Sequence, residues 1–287
     1  MSQQNDNHHH DIDGVQPVSF ISIGVGSPKH IESEIVEESL ACISVNGQEL
    51  ATFMCTPSDL QAMALGFLYN ENLINSLEEV ANLRISDGKN CVDVWLQDTR
   101  LKLPKRQILT AGCGGGITFD DLSKQHQPLQ SGLRATPELL AELFREMHQG
   151  ADRYQRTRGI HTAAIADHQG IILQVEDVGR HNCLDKLSGK ALLERVPTRD
   201  RIILSSGRIS SEMINKARRL ETPIICSRTS PTSLSVALAK IWNMSIVAYL
   251  RQDRMRIYSH PERILNDLPI GWDENQTIVM EENPSYD

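Results

Sequence analysis

One cysteine lies in a setting that suits a reactive thiol. Cys113 stands in the stretch TAGCGGGITF, residues 110–119, with one glycine before it and three after it. Glycine lowers the cost of unusual backbone angles, so the segment can form a mobile loop. A cysteine attacks as its thiolate, and a pKa of about 8.5 leaves most of it protonated at neutral pH. Nearby cations would favour ionisation, and Lys102, Lys105 and Arg106 are close in sequence. The alternative is a small residue in a glycine-rich turn.

Three arginines occupy similar places, each after an apolar strand segment and before a predicted helix. They are Arg180 in VEDVGRHNC, Arg208 in LSSGRISSE and Arg228 in ICSRTSPTS. In a parallel sheet such turns meet at the carboxyl edge, where helix N-termini offer N–H groups to anions. Small and hydroxyl residues around them suit contact with phosphate oxygens: Ser205, Ser206, Gly207, Ser210, Ser227, Ser230 and Thr232. The pattern favours a polyphosphate or nucleotide-like ligand. The alternative is that carboxylates pair with the arginines and that Ser210 and Ser230 are helix caps.

Composition narrows the class of protein. The 287 residues are enough for two ordinary domains, and 40% apolar with 23% charged residues describes a globular chain. A net charge of −8 argues against a general nucleic-acid binder, so an anionic ligand must meet a local basic cluster. No secretory signal and no apolar run of membrane-spanning length is found, which predicts a cytoplasmic protein without a membrane partner.

The cysteines and histidines give no metal pattern. Six cysteines are scattered without a CxxC pair or zinc-ligand spacing: Cys42, Cys55, Cys91, Cys113, Cys183 and Cys226. All but Cys113 are expected to be reduced thiols, with Cys55, Cys183 and Cys226 in packing roles. The His8 to His10 run lies in a polar segment that predicts a disordered tail over residues 1–15, where it binds metal only adventitiously. No structural metal is expected.

The first part of the chain, residues 16–135, predicts a small mixed domain rich in strands. Asn46-Gly47 between two β-rich runs indicates a hairpin, and Asp87-Gly88 separates two further runs. A helix is predicted in TPSDLQAMALGFLYNENLI, with Thr56 as its N-cap and Pro57 at its first position. The Cys113 loop falls at the end of this domain.

The second part, residues 136–287, predicts an α/β domain. TPELLAELFREMHQGA places its apolar residues on one helical face: Leu139, Leu140, Leu143, Phe144 and Met147. Short apolar strands then alternate with helices as far as SIVAYL. This alternation is typical of a largely parallel sheet with helices on its faces, in a protein that is α+β overall.

Several long segments, in order, resemble the FdhD family of formate dehydrogenase accessory sulfurtransferases. They are MCTPSDLQAMALGFLYNENLI (54–74), RTRGIHTAA (156–164), EDVGRHNCLDKLSGKAL (176–192), SSGRISSEMINKA (205–217), SRTSPTSLSVALA (227–239) and RQDRMRIYSHPERI (251–264). The resemblance implies a homodimer that takes sulfur from a cysteine desulfurase as a cysteine persulfide. It would pass that sulfur to the bis-molybdopterin guanine dinucleotide (Mo-bisMGD) cofactor of formate dehydrogenase.

The resemblance also implies a three-layer α/β/α second domain similar to cytidine deaminases. Zinc deaminases need His-x-Glu and Pro-Cys-x-x-Cys, whereas this chain has HTA and ICSRTSP at those places. The family's reactive loop carries CxxC, of which Cys113 is the first position and Gly116 replaces the second. One thiol still suffices to carry sulfur. The alternative is a chaperone that delivers the cofactor without sulfur transfer.

For the cofactor, the resemblance indicates the segment YLRQDR. Its members are Tyr249, Leu250, Arg251, Gln252, Asp253 and Arg254. Arg251 and Arg254 suit phosphate oxygens, and Asp253 suits the N–H groups of a guanine edge. The alternative is an exposed polar turn. His161 and His181 adjoin the proposed pocket as secondary candidates for proton transfer or ligand contact, or else as buried structural histidines.

Overall fold

A computed structural model describes residues 14–86, 91–100, 108–109, 117–118, 126–251, 254–268 and 271. The strands are β1 (Val15–Ser22), β2 (Lys29–Val36), β3 (Ser39–Val45), β4 (Gln48–Cys55), β5 (Val80–Ile85), β6 (Cys91–Leu96), β7 (Ile108–Leu109), β8 (Ile117–Thr118), β9 (His161–Asp167), β10 (Gly170–Asp177), β11 (Ile202–Ser205), β12 (Ile224–Ser227), β13 (Ser245–Ala248) and β14 (Arg256–Ile257). The helices are α1 (Leu60–Asn70), α2 (Pro137–Gln149), α3 (Asp152–Thr157), α4 (Arg180–Leu193), α5 (Ser211–Arg219) and α6 (Ser233–Ile241). Short 3₁₀ turns cover Leu77–Glu79 and Pro261–Arg263. The chain is therefore the mixed α/β protein that the sequence predicts.

The chain divides into two compact units, each drawn from separate stretches of sequence. The first unit takes the described residues of Met1–Asp120, Gln149–Thr162 and Gln174–Val196. The second takes those of Asp121–His148, Ala163–Leu173 and Pro197–Asp287. Helix α4 thus belongs to the unit that holds the N-terminal strands. The boundary that the sequence places between residues 135 and 136 stays a prediction.

The first unit contains a four-stranded sheet in the order β4-β3-β6-β5 and a separate antiparallel hairpin of β1 and β2. β3 runs parallel to β6 and antiparallel to β4, and β5 is antiparallel to β6. Asn46 and Gly47 both have positive φ, 50° and 80°, in the turn between β3 and β4. These are the angles of a type I′ turn, so the predicted Asn-Gly hairpin is confirmed.

Helices α1 and α4 of the first unit pack at two glycines. A Cβ atom on Gly66 would overlap the carbonyl oxygen of Asp185, and one on Gly189 would overlap the carbonyl oxygen of Ala62. The two backbones are therefore closer than any side chain would allow. Further polar contacts tie the pair together, because Asn70 Nδ2 donates to Asp185 Oδ1 at 2.8 Å and Ser188 Oγ donates to Asn70 Oδ1 at 3.1 Å.

A six-stranded sheet has the order β10-β9-β11-β12-β13-β14. β11, β12 and β13 are parallel, whereas β9 is antiparallel to β11 and β14 is antiparallel to β13. The sheet is therefore mixed, and the prediction of a largely parallel sheet holds only for its three central strands. Alternation of strands and helices sets the direction of neighbours only where a helix connects them, and a two-residue turn joins β9 to β10.

Helix α2 provides much of the core of the second unit. Its buried residues are Leu140, Leu143, Phe144 and Met147, as predicted except for the half-buried Leu139. They belong to a cluster with residues of the central strands, including Leu204 and Val247. Among the described residues, no helix is long and apolar enough to cross a membrane.

Candidate functional site

The turns that follow β11 and β12 are joined to each other by hydrogen bonds. Ile209 and Pro231 form an isolated parallel bridge, in which the Ile209 N–H donates to the Ser230 carbonyl at 3.2 Å. The Ser227 hydroxyl donates to the Gly207 carbonyl at 2.6 Å. Arg208, which is exposed, is carried by the first of these turns.

The turn that follows β13 joins the same edge. The Tyr249 N–H donates to the Thr229 carbonyl at 3.2 Å, and the Leu250 N–H donates to the Ser227 carbonyl at 3.0 Å. One guanidinium N–H of Arg251 donates to the Arg228 carbonyl at 2.6 Å. The structure therefore brings together the turns that carry Arg208, Arg228 and Arg251.

A cavity of about 270 Å³ opens at this edge. It is lined by Tyr249, Arg251, Arg254, Met255 and Arg256. Tyr249 has a left-handed backbone with φ of 51°, and the Arg256 guanidinium carbon lies over its ring, 4.3 Å from the centroid. Loss of solvent, and then the positive charges of Arg228 and Arg254, lower the pKa of Arg251. Like charges therefore lie close to one another around an open cavity.

We call Arg208, Arg228, Arg251, Arg254 and Arg256 the arginine edge. None of them forms an ion pair with a carboxylate among the described residues. By contrast, Arg201 of the same unit pairs with Asp167 at 3.1 Å. Guanidinium groups that no described carboxylate pairs with are a candidate site for anions, because guanidinium groups match phosphate oxygens. Gln252 and Asp253, also predicted to contact the cofactor, lie outside the described residues.

Two helices begin beside the arginine edge. Ser210 caps α5 by accepting from the Met213 N–H at 3.4 Å, which agrees with the alternative interpretation of that segment. Ser230 does not cap α6, because that helix begins at a capping box formed by Thr232 and Ser235. The cap falls two residues later, at Thr232. Ser206, also among the predicted contacts, is half-buried on the α5 side of this edge.

Arg180, the third of the predicted strand-end arginines, is in the first unit together with His161 and His181. Arg180 and His181 are each only 5% exposed. Burial, reinforced by the positive charge of Arg180, lowers the pKa of His161, while the nearby Asp177 opposes this shift. His161 is therefore held neutral near physiological pH. The cofactor role of these three residues stays a prediction.

A buried ion pair lies at the start of α4. Lys186 Nζ is 2.7 Å from Asp177 Oδ2, and both side chains are 0% exposed. Lys186 also donates to the Thr56 carbonyl at 3.0 Å, and the Thr56 N–H donates to Asp177 Oδ2 at 3.1 Å. Asn182 Nδ2 donates to Asp177 Oδ1 at 2.8 Å and to the Met54 carbonyl at 2.8 Å. We call Thr56, Asp177, Asn182 and Lys186 the buried network.

The buried network corrects the predicted role of Thr56. Thr56 does not cap α1, since the N-cap residue is Asp59, which has a left-handed backbone and no side-chain cap bond. The Thr56 hydroxyl instead accepts from the Val178 N–H at 3.2 Å. Sequence reasoning missed this network, although polar residues inside the two apolar segments MCTPSDL and NCLDKL were a sign of it.

Cys113, Gly116 and the three basic residues proposed to face that thiol lie outside the described residues. The strands on either side are described: Ile108 pairs with Thr118 and Leu109 pairs with Ile117, in an antiparallel arrangement.

The other cysteines are enclosed or paired. Cys55, Cys183 and Cys226 are buried, as predicted, and burial raises the pKa of each thiol, for Cys55 to about 12. Cys42 and Cys91 form a disulfide, so the expectation that they are reduced thiols is wrong. They are 49 residues apart in sequence, and only the register of two parallel strands brings them together. Within the described ranges, no group of three or more His, Cys, Asp or Glu side chains is placed to hold a metal ion.

These features define a mixed α/β protein with an arginine-lined edge beside the ends of parallel strands. The FdhD/NarQ family model matches residues 36–265, and the chain belongs to this family. It is 33% identical over 244 residues to the sulfur carrier protein FdhD of Bacillus subtilis, covering 83% of this chain and 93% of that protein. It is 35% identical over 253 residues to the sulfur carrier protein FdhD of Halalkalibacterium halodurans, covering 86% and 94%. A crystal structure described as a formate dehydrogenase accessory protein, from Desulfotalea psychrophila, aligns with a TM-score of 0.73 at 27% identity, over 88% of this chain and 99% of that one.

Proposed function

We propose that this chain is a sulfur carrier that serves formate dehydrogenase and holds sulfur on one thiol, Cys113. The observation that carries this proposal is the state of the other five cysteines. Three are buried with raised pKa values, and two are joined in a disulfide. A buried neutral thiol is a poor nucleophile. Cys113 is the sixth cysteine, and the relatives that the chain matches are named sulfur carriers.

The transfer needs only one thiol on this chain. The Cys113 thiolate attacks the outer sulfur of a persulfide on a cysteine desulfurase. The donor's S–S bond breaks, a new S–S bond forms on Cys113, and the donor cysteine leaves as a thiolate. A second thiol at residue 116 would instead allow an internal disulfide, which would release the sulfur. Gly116 removes that route.

The proposed acceptor of the sulfur is the Mo-bisMGD cofactor of formate dehydrogenase, bound as cargo. Its guanine dinucleotide arms carry phosphates, and the arginine edge offers guanidinium groups without a described carboxylate partner beside a cavity of about 270 Å³. The Arg251 guanidinium is held in place by donating to the backbone carbonyls of Arg228 and Leu250, which reduces the ordering needed when an anion binds. The homodimer and the cytoplasmic location implied by the family resemblance belong to this proposal.

The test is sulfur loading measured by intact mass. The full chain is incubated with a cysteine desulfurase and cysteine, and we expect one extra sulfur atom, which a reductant removes. Cys113→Ala should gain none, while Cys226→Ala, at a buried cysteine, should gain sulfur as the parent does. Loading of Cys113→Ala to the parent level would contradict the proposal.

A second candidate function is supported by the same arginine edge. The chain would then bind and deliver the cofactor without handling sulfur, consistent with the loss of the second cysteine at Gly116. Maturation of formate dehydrogenase in cells that lack the chain's own activity separates the two functions. If Cys113→Ala restores maturation and Arg228→Ala does not, the chain is a cofactor chaperone. Failure of Cys113→Ala alone supports the sulfur carrier.

A further inference from the structure

Cys42 and Cys91 face each other across two neighbouring strands. β3 and β6 are parallel with these residues in direct register, and their Cα atoms are 4.4 Å apart. That separation lies within the range of about 4.4 to 6.8 Å that a disulfide requires. Cys91 is also fixed from its other side, because the N–H and hydroxyl of Ser86 donate to its carbonyl at 2.9 and 3.0 Å. Strand pairing would therefore keep the two thiols together after their bond is broken.

The disulfide lies on the open face of the four-stranded sheet. The alternate residues Ile43 and Val92 are buried on the opposite face, whereas Cys42 and Cys91 are half-buried. Trp95, on the same face as Cys91, is 40% exposed. Thiol exchange needs a thiolate to reach one of the two sulfur atoms. Cys42 and Cys91 are half-buried on this face, whereas Cys55, Cys183 and Cys226 are buried.

The bond encloses the part of the first unit that contains β4, α1 and β5. A disulfide that closes a long loop stabilises mainly by restricting the unfolded chain. The core beneath the sheet does not depend on the bond, because its residues are on the other face. Opening the bond should therefore lower the stability of the unit without unfolding it.

We propose that Cys42 and Cys91 form a reversible redox site, which a dithiol opens and a small disulfide closes in the folded protein. In the opening step, a thiolate of the dithiol attacks one sulfur, and the Cys42–Cys91 bond breaks to give a mixed disulfide. The second thiol of the reductant then displaces the remaining cysteine. The dithiol is oxidised to a disulfide, and its two protons pass to Cys42 and Cys91. Cys42 and Cys91 belong to the first unit, and the residues of the arginine edge belong to the second.

The test counts free thiols on the folded full chain in a Cys113→Ala background. The protein is first treated with oxidised glutathione and then labelled with N-ethylmaleimide under native conditions. We expect no labels before reduction. After dithiothreitol and its removal, we expect two labels, mapped by peptide mass to Cys42 and Cys91, with an unchanged circular dichroism spectrum and a lower urea midpoint.

Variants on the same strand provide the controls. Cys42→Ser, labelled without the glutathione treatment so that its lone thiol is not capped as a mixed disulfide, should take one label, on Cys91, without prior reduction. Ser44→Ala on the same face of β3 should behave as the parent. Two labels before reduction would show that the bond does not form and would overturn the proposal. Reduction only in denaturant, or disulfide-linked dimers, would overturn it as well. Peptide mapping of the parent gives the same decision if Cys42→Ser does not fold.

Discussion

The buried network and the arginine edge are both polar clusters at places where a strand leads into a helix. Inside the buried network, Lys186 pairs with Asp177 at 2.7 Å, and neither side chain is exposed. At the arginine edge, Arg228 and Arg251 lie within reach of each other's charge beside an open cavity, with no carboxylate partner among the described residues. The first cluster neutralises its own charge, whereas no described carboxylate neutralises the charge of the second.

This difference separates stability from binding. A buried charge must be paired, since an unpaired one costs several kcal/mol, so a paired and enclosed cluster is explained by the fold alone. Clustered positive charges without partners repel one another and destabilise the protein without its ligand, and a bound anion removes this repulsion. Strand-end position therefore identifies a ligand site only together with the balance of charge around it.

The largest effect should come from breaking the buried pair. Lys186→Ala leaves Asp177 charged and enclosed, and we expect a loss of about 3 to 5 kcal/mol in the free energy of unfolding, measured in urea. Lys190→Ala on the same helix removes an exposed ion pair to Glu194 at 3.9 Å and should cost less than about 1 kcal/mol. Equal losses of stability in the two variants would mean that burial does not increase the cost of breaking the Lys186–Asp177 pair.

The next largest loss of stability should come from the contact of α1 and α4 at Gly66 and Gly189, since α4 carries Lys186 of the buried network. Gly189→Ala puts a methyl group into the backbone of α1, and we expect about 3 kcal/mol of destabilisation as the helices separate. Gly132→Ala is the matched control, because nothing lies within 4 Å of its Cβ position and its φ is not positive. Thermal unfolding measures both, and a tolerated Gly189→Ala would contradict the close contact.

At the arginine edge, the expected effect is on binding and not on stability. Loss of one charge-assisted hydrogen bond is worth about 1.5 to 3 kcal/mol, so Arg251→Ala should weaken binding of GDP by about 10- to 100-fold in calorimetry. Its unfolding free energy should change little. Arg199→Ala, an exposed arginine of the same unit that pairs with Asp200 and Glu221, should bind GDP as the parent does. No binding of GDP by the parent would count against the cavity itself.

Local patterns in the sequence predicted local structure well. The Asn46-Gly47 turn and the apolar face of α2 depend on neighbours a few residues away, and both are found. Thr56 matched the pattern of a helix cap, but Asp177, 121 residues later, accepts its N–H instead. The disulfide of Cys42 and Cys91 likewise depends on strand register across 49 residues. The role of Thr56 and the pairing of Cys42 with Cys91 depend on residues that are distant in sequence, and a single sequence does not show which distant residues come into contact.

For the candidate site, too, the sequence predicted local features and missed those that depend on distant partners. Strand and helix segments place Arg208 and Arg228 at strand ends, and the hydrogen bonds that join their turns follow from parallel neighbours β11 and β12. The same pattern assigns Arg180 to that group; Arg180 belongs to the other compact unit, and its role in the site stays a prediction. The pattern identifies residues by their position at the end of a strand. It does not show in which compact unit the segment packs, because that depends on which face of the segment is buried.

The smallest effect concerns His161, which lies near the buried network. Its pKa is lowered from 6.5 by burial and by the charge of Arg180. Below pH 6.5 the unfolded chain takes up a proton at this residue and the folded chain does not, so stability falls with pH from 6.5 down to the lowered folded pKa. The loss is at most about 1.4 kcal/mol per pH unit. Above pH 6.5 this contribution is constant.

A difference measurement isolates this contribution from that of Glu176. Burial raises the pKa of Glu176 above 4.5, so its contribution has the opposite sign, and stability falls as pH rises from 4.5 through the raised value. Subtracting the unfolding free energies of His161→Gln from those of the parent between pH 5 and 8 cancels Glu176. We expect the difference to be flat above about pH 6.5 and to decrease below it. If the difference between the parent and His161→Gln is flat down to pH 5, this histidine is protonated as easily in the folded chain as in the unfolded one. The conclusion that His161 lies in an enclosed environment would then be wrong.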